Sequence, residues 1–210
     1  VAIPRLVQVL WSLAGLVLVL LLRGGSNDPA VQQGLARRIL NTLTGLGPCF
    51  IKLGQALSTR PDLVRRDWLE ELTRLQDDLP AFPHATALAC IREELGAPAE
   101  ELFEEFPDTP IAAASLGQVY KARLQGQHWV AVKVQRPNLT FILRRDLVLI
   151  RALGVMTAPL LPLNLGFGLG GIIDEFGRSL FEEIDYGLEA ANAERFSALF
   201  ADNDAVYIPK

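Results

Sequence analysis

The sequence predicts an α+β fold in which a small antiparallel sheet is preceded and followed by helices. Three observations lead to this prediction. Residues 111–137 contain β-branched and aromatic runs separated by small and polar turn residues, as hairpins do. Residues 29–106 carry apolar side chains at helical spacing, interrupted by glycines and prolines. Helical periodicity returns at residue 139 and continues to about residue 200.

Composition and charge narrow the class of protein. The chain has 210 residues, a formal net charge of -4 and 50% hydrophobic residues, which is enough for one large or two small domains. The acidic balance argues against a nucleic-acid-binding surface.

Cys49 and Cys90 are far apart and lack metal-ligand spacing, which predicts buried thiols in a reduced compartment. Because the chain starts without methionine and stops at Val-Tyr-Ile-Pro-Lys, we expect it to be part of a longer protein.

The first element is an uncharged apolar segment, residues 6–22, flanked by Arg5 and Arg23. It is slightly shorter than the about 20 residues that a membrane-spanning helix needs. Three interpretations stay open: a spanning helix, a helix in the membrane interface, and a core helix. A signal peptide is less favoured, because no small-residue cleavage site precedes Arg23.

Residues 29–106 are predicted to form a helical extension that follows the hydrophobic helix and linker of residues 1–28. Asp28 and Pro29 predict a helix start, with an N-cap acceptor and a preset φ at the first helical position. Glycines and prolines then end each successive helix, and the last helix is expected at residues 98–106.

Residues 107–210 are predicted to carry the sheet and the helices after it, with a helical insert at about residues 139–175. Two strands meet at a turn over residues 125–127, and a further strand is expected at residues 206–208. The second strand of the hairpin contains a single lysine, Lys133, in an apolar run. A buried lysine is costly unless its ammonium meets an anion, so we expect an acidic partner.

Carboxylates are concentrated after the insert. Glu183, Asp185 and Glu189 lie in a helical stretch of residues 172–200, predicted as one long helix or two consecutive ones. Asp185 and Glu189 share a face at i, i+4 spacing. Such charges often form only a solvated surface, but Glu189 could also be the partner of Lys133. The glycine-rich loop at residues 166–171 matches a dinucleotide fingerprint literally, yet no strand precedes it, so a Rossmann interpretation is not favoured.

Four motifs in one order give the sequence a family resemblance. They are Lys52-Leu53-Gly54-Gln55, Ala112-Ala113-Ala114-Ser115, Val130-Ala131-Val132-Lys133, and Glu183-Ile184-Asp185-Tyr186 followed by Glu189-Ala190. Together they resemble the UbiB family, the AarF/ADCK or Abc1-type atypical kinases. The Val-Ala-Val-Lys run is similar to the third strand of protein kinases, whose lysine pairs with nucleotide phosphates and a helix glutamate.

The resemblance implies a protein-kinase-like N-lobe, with a small sheet and an αC-like helix, preceded by the helical KxGQ extension. Lys133 would be the phosphate lysine and Glu189 its partner. Ala112, Ala113, Ala114 and Ser115 would form the phosphate turn, and Lys52, Gly54 and Gln55 would approach the Glu183 and Asp185 of an ExD motif. Alanines restrict φ where kinases have glycine, so we expect this turn to hold nucleotide differently and less flexibly.

The resemblance also implies ligands and partners. The protein would bind ATP or ADP with Mg²⁺. It would support isoprenoid-quinone (ubiquinone or plastoquinone) or prenyl-lipid biosynthesis. The expected partners are a membrane lipid or quinone precursor and quinone-biosynthesis enzymes, at a membrane bordering a reduced, cytoplasm-like compartment.

Two catalytic motifs of kinases, the catalytic loop and the Asp-Phe-Gly motif, are missing from the 210 residues, so we expect them in a C-lobe beyond Lys210. The alternative from another class is a catalytically inert pseudokinase scaffold for membrane lipid enzymes. An ordinary protein kinase is less favoured because of the alanine turn. No metal site is predicted, since His84 and His128 are isolated.

Overall fold

The computed structural model describes residues 2–62, 64–75, 80–126, 128–157 and 169–209. They divide into two compact units, residues 1–149 and residues 150–210. The first unit contains a helical part and a four-stranded sheet, and the second contains two helices beyond the end of α7. The predicted α+β class is confirmed, while the predicted three-part domain division stays a prediction.

Four helices form the first part of the chain: α1 (Ala2–Arg23), α2 (Pro29–Leu46), α3 (Pro48–Ser58) and α4 (Arg66–Thr73). The predicted start of α2 is confirmed, because the Ala30 N–H donates to Asp28 Oδ1 (2.9 Å) and Pro29 occupies the first turn. Gly47 has a φ of 92°, a left-handed value that favours glycine, and it separates α2 from α3.

Helix α2 is the centre of this helical part, since α1, α3 and α4 all pack against it. Its buried side includes Leu35, Leu43 and Leu46. The short turn before α3 lets Phe50 join the same core, in which Leu72 and Leu75 are also buried. The apolar stripe that the helical spacing predicted is therefore the packing face.

The sheet contains β1 (Phe103–Glu105), β2 (Ala112–Ala113), β3 (Gly117–Leu124) and β4 (Trp129–Gln135). All pairings are antiparallel. Strand β4 pairs along one edge of β3, and β1 and β2 pair with opposite ends of β3. The turn between β3 and β4 contains Gly126 at a φ of 94°, which fits the predicted turn.

Strand β1 corrects the predicted helix over residues 98–106. Helix α6 (Ala99–Leu102) ends after one turn, and Phe103 continues as a strand paired with Leu124 of β3. Phe103 is buried in the core, whereas the glutamates that follow it are exposed. Burial of one aromatic side chain and pairing with β3 outweigh the helical propensity of the Glu-rich sequence.

Helices α5 (His84–Leu95) and α6 cover one face of the sheet. Every second residue of β3 and β4 points to that face, because successive side chains of a strand alternate. Tyr120, Ala122 and Val134 are buried there against Phe82, Ala87, Ile91, Ala99 and Phe103. The opposite face has no cover from α5 or α6.

A buried glutamine joins the segment before α5 to the sheet. Gln118 of β3 accepts from the Phe82 N–H (3.0 Å) and donates to the Phe82 carbonyl (3.3 Å) and the Tyr120 hydroxyl (2.5 Å). Both backbone polar groups of Phe82 are thus satisfied by one side-chain amide. A buried polar group without a partner costs free energy, so this amide is part of the fold rather than of its surface.

Gln118→Leu should lower the free energy of unfolding by about 2–3 kcal/mol, because it leaves the Phe82 amide and carbonyl unpaired at nearly constant side-chain volume. Denaturant unfolding measures the change. Gln33→Leu, on the exposed side of α2, is the matched control and should change stability by less than about 0.5 kcal/mol. Equal losses for the two variants would contradict the structural role of the amide.

The remaining helices are α7 (Leu139–Thr157), α8 (Leu169–Glu183) and α9 (Tyr186–Leu199). The predicted stretch of residues 172–200 is therefore two consecutive helices. The predicted loop of residues 166–171 lies partly outside the described residues, and its described part belongs to the first turn of α8. The strand predicted at residues 206–208 is wrong, since these residues form no ladder with any described strand.

Candidate functional site: the open face of the sheet

The face of the sheet opposite α5 and α6, called the open face below, carries the residues that the family resemblance connected with nucleotide. Val119 of β3 lies directly between Ala112 of β2 and Lys133 of β4, because both are its register partners. Directly opposite residues point to the same face of a sheet. Ala131 pairs with Lys121 on this face one step further along. A small, an apolar and a cationic side chain therefore form one row.

Lys133 is exposed, which corrects the expectation of a buried strand lysine. The cause is strand alternation: Val132 and Val134 turn toward α5, and Lys133 between them turns away. The ammonium is therefore not forced to find an anion by burial within the sheet core. Its side chain lies on the face of the sheet opposite α5 instead.

The turn at residues 112–117, called the alanine turn below, lies beside this row and is held by backbone hydrogen bonds. The Ala114 N–H donates to the Gly117 carbonyl (2.8 Å), and the Leu116 carbonyl accepts from the Arg136 N–H (2.9 Å). None of residues 112–117 has a positive φ. Nothing in the backbone of this turn needs glycine, which explains why alanine is accommodated where kinases have a glycine-rich loop.

Ser115 holds an unused hydrogen-bonding group inside the turn. Its side chain is 2% exposed, and its hydroxyl has no hydrogen-bond partner among the described residues. Buried hydroxyls are normally paired, and an exception calls for an explanation. The hydroxyl is enclosed by the turn, so only a rearrangement of the turn would bring it into contact with a ligand.

Arg136 pins the alanine turn, and the sequence motifs did not identify it. Its Nη2 donates to the carbonyls of Pro80 (2.9 Å) and Ala114 (3.2 Å), and its Nε donates to Ala114 (3.3 Å). Its guanidinium also lies 5.4 Å from the centre of the Phe82 ring. Partial burial lowers the pKa of Arg136, but arginine stays charged. The only sequence signal was its position directly after β4.

The Lys-x-Gly-Gln residues lie on α3, and two of them have packing roles. A Cβ at Gly54 would come within 2.5 Å of Leu75 and 2.7 Å of Leu43, so only glycine fits there without rearrangement. Gln55 Nε2 donates to the Leu75 carbonyl (2.6 Å). Lys52 is half-buried on the same helix. Gly54 and Gln55 thus fasten α3 to the end of the α4 segment.

The acidic residues lie in the second unit, at the junction of α8 and α9. Glu183 ends α8, and Asp185 caps α9 by accepting from the Leu188 N–H (2.9 Å). Glu189 lies in the first turn of α9. Burial, followed by the nearby carboxylates of Glu189 and Glu183, raises the pKa of Tyr186 to about 12. The structure therefore brings both glutamates close to one phenol, a residue whose role the sequence did not reveal.

Metal-ligand clusters are absent from the ranges that the structure describes. Within them, no three His, Cys, Asp or Glu side chains come together as metal ligands would. The Cys49 thiol is a poor ligand, because its burial and the nearby Asp146 carboxylate raise its pKa to about 12.

The family of the chain is shown by a match that begins shortly before the sheet and runs through the helices after it. Residues 74–210, well over half of the chain, match the ABC1 atypical kinase-like domain. The chain belongs to the ABC1 atypical kinase-like family. This ABC1 assignment confirms the UbiB resemblance seen in the four motifs.

Relatives of this ABC1 chain include proteins of Synechocystis sp. and Arabidopsis thaliana. It is 53% identical over 174 residues to slr1919 of Synechocystis sp., covering 83% of this chain and 31% of that protein. It is 46% identical over 208 residues to sll0005 of the same organism, covering 98% and 30%. ACTIVITY OF BC1 COMPLEX KINASE 1, chloroplastic, of Arabidopsis thaliana is 48% identical over 183 residues, covering 87% and 27%.

The ABC1 chain thus spans less than a third of the length of these relatives. A solved structure of Rv3197 from Mycobacterium tuberculosis, in complex with erythromycin, is also similar, with a TM-score of 0.48 and 35% identity. That similarity covers 72% of this chain and 38% of Rv3197.

Some of the expected pairings involve one residue from each unit. Lys133 belongs to the first unit and Glu189 to the second. The same holds for Lys52 and Gln55 on one side and the Glu183–Asp185 motif on the other. The Lys133–Glu189 ion pair and the approach of the extension to the ExD motif therefore stay predictions.

Proposed function

We propose that this ABC1-family chain forms the nucleotide-binding lobe of an atypical kinase-like protein that binds ATP or ADP with Mg²⁺. One observation carries the proposal: Ala112, Val119 and Lys133 form a row on the open face of the sheet, beside a turn that holds the buried Ser115 hydroxyl, unpaired among the described residues. Arg136 keeps that turn in place.

The chemistry of this face suits a nucleotide. The aliphatic side chains of Val119 and Ala131 offer an apolar surface for a flat base. The Lys133 ammonium supplies the positive charge that holds phosphates, and the Ser115 hydroxyl would donate to a phosphate oxygen once the turn shifts to expose it. Magnesium, bound with the nucleotide, would neutralise part of the phosphate charge. These apolar, cationic and hydroxyl groups together match the base and the phosphates of a nucleotide.

The reaction class follows from the family resemblance. We propose ATP hydrolysis or phosphoryl transfer by the longer protein, in support of isoprenoid-quinone or prenyl-lipid biosynthesis, with a membrane lipid or quinone precursor and quinone-biosynthesis enzymes as partners. Relatives named as chloroplastic kinases support an organellar setting.

The membrane contact is proposed for α1. An 18-residue window within residues 3–23 has a mean hydropathy of 2.2, so the helix is long and apolar enough to span a bilayer by length and composition alone. One side of the helix is nevertheless buried, at Val9 and Leu16, while Trp11, Leu21 and Leu22 are exposed. A helix with one side packed on protein and the other apolar fits an interfacial position, so we propose that α1 lies in the membrane surface.

Nuclear magnetic resonance titration of the chain with MgATP tests the nucleotide site. We expect amide shifts at Ala112, Val119 and Lys133 and in the alanine turn, because ligand binding changes the surroundings of the open face. Amides of α2 serve as the internal control and should not shift. Shifts confined to α1 and α2, or none at millimolar nucleotide, would contradict the proposal.

A further inference from the structure

We propose that the groove between α1 and α2 binds the anionic headgroup of a phospholipid in the bilayer on which α1 lies. This inference rests on the proposed membrane contact of α1 and is independent of the nucleotide site. The groove has a volume of about 580 Å³, within the range of sites for small organic groups. Trp11 and Ser12 line it from α1, and Arg37 and Arg38 line it from α2.

Charge complementarity identifies the headgroup as anionic. Two arginines line the groove, and none of its lining residues is acidic. Glu71 lies near Arg37 (3.7 Å), but it also pairs with Arg74 at a shorter distance (3.1 Å). Arg38 Nη2 extends toward the Gly15 carbonyl of α1 (3.5 Å). Guanidinium groups match phosphate oxygens in geometry as well as in charge.

Two glycines keep the groove open, although they lower the stability of α2. Gly34 and Gly45 line the groove inside a helix, where glycine is about 1 kcal/mol less favourable than alanine. A Cβ at either position would meet no atom within 4 Å, so close packing does not require glycine. The space beside them is explained if another molecule fills it.

Continuity with the apolar side of α1 identifies the source of the headgroup as a membrane lipid. Trp11 lines the groove and is 82% exposed, and the exposed Val7 and Leu18 continue the apolar surface along the same helix. Tryptophan prefers the boundary between headgroups and acyl chains. A lipid whose headgroup enters the groove would therefore leave its chains beside the apolar side of α1.

Vesicle binding of the full chain tests this site. Wild type should bind phosphatidylcholine vesicles weakly and vesicles that also contain phosphatidylglycerol more tightly. Arg37→Gln/Arg38→Gln should reduce binding to the anionic vesicles by about 30-fold, since each basic residue at a membrane surface contributes about fivefold. Arg66→Gln/Arg92→Gln removes the same charge from exposed positions outside the groove and should reduce it by less than about threefold.

A second pair of variants fills the groove without changing its charge. Gly34→Leu/Gly45→Leu should abolish the preference for anionic vesicles while leaving the melting temperature unchanged or raised, because leucine is the better helix former. Ala30→Leu/Gln33→Leu, on α2 outside the groove, is the control and should keep the preference. A preserved preference in the filled variant would overturn the groove as the site.

Other outcomes separate the proposals. Equal losses for the two arginine pairs would show a general charge effect and overturn the lipid site. Binding of glycerol phosphate in solution as tightly as of the vesicles would replace the lipid with a soluble phosphate. Absence of binding to any vesicle would refute both the membrane contact of α1 and the lipid site. Each of these results would leave the nucleotide titration unaffected.

Discussion

Replacing Lys133 with methionine is expected to weaken binding of MgATP and MgADP by about 10- to 100-fold. Lys133 supplies the positive charge of the Ala112–Val119–Lys133 row, and a hydrogen bond to a charged group contributes about 1.5–3 kcal/mol. Methionine keeps the apolar stem of the side chain but cannot bind phosphate. Titration calorimetry, or displacement of a fluorescent nucleotide where affinity is low, measures the change.

Lys121→Met is the matched control for Lys133→Met. Lys121 lies on the same face, opposite Ala131, and its ammonium is 4.8 Å from the centre of the Trp129 ring. Its removal takes the same charge from the face at a position outside the Ala112–Val119–Lys133 row. We expect a change of less than about threefold in affinity. Equal effects of the two substitutions would show that the face attracts nucleotide only by its overall charge.

Asp146→Ala should lower the free energy of unfolding by about 3–5 kcal/mol, the range for removing one partner of a buried ion pair. Asp146 of α7 is fully buried and accepts from Arg5 Nε (3.1 Å) and Nη2 (2.5 Å), and from Arg145 Nε (2.9 Å). Arg5 also donates to the Leu46 carbonyl at the end of α2. The carboxylate therefore ties α1 to the rest of the first unit, and its loss leaves a nearly buried guanidinium without an anion.

Asp174→Ala provides the comparison for Asp146→Ala. Asp174 of α8 makes the same two-point contact with Arg151 of α7, but both side chains are about half exposed. Exposed pairs contribute only about 0–1 kcal/mol, so this variant should be almost neutral in denaturant unfolding. The double variant Arg5→Met/Asp146→Leu should recover most of the loss, because the nearly buried Arg5 charge is removed together with its partner. Arg145 also loses the carboxylate, but its side chain is more exposed to solvent. A loss at Asp146 no larger than at Asp174 would contradict the structural importance of the buried pair.

Much of the fold could be predicted from local sequence. Asp28 and Pro29 specify the start of α2 through backbone chemistry that does not depend on distant residues. The hairpin of β3 and β4 follows from alternating valines around a turn with Gly126. The α+β class and the family motifs are therefore accessible from the amino-acid sequence alone.

The wrong predictions fall where distant contacts decide the outcome. Phe103 lies in a Glu-rich sequence typical of a helix, but it becomes a strand because it pairs with Leu124 and enters the core under α5. The exposure of Lys133 depends on which face α5 covers, and an apolar run alone does not give that information. Arg136 contacts Pro80, 56 residues away, so its role in the alanine turn had no local signal.

The residues of the candidate site were likewise predicted only in part. Ala112 and Lys133 were predicted as motif members, and strand register brings them into one row with Val119. The Ser115 hydroxyl, which has no partner within the described part of the chain, is recognised only once burial of the turn is known. Tyr186 beside Glu183 and Glu189 likewise depends on the break between α8 and α9, which the acidic pattern did not specify.

Chemical labelling of the lysines with an acyl-phosphate derivative of ATP tests nucleotide binding at the open face most directly. Such a reagent transfers its acyl group to a lysine amine that lies at the bound phosphates. We expect that Lys133 is acylated, that excess ATP protects it, and that Lys121 on the same face reacts slowly and without protection. Peptide mass spectrometry reads each lysine separately. Equal, unprotected labelling of Lys121 and Lys133 would contradict nucleotide binding at the open face of the sheet.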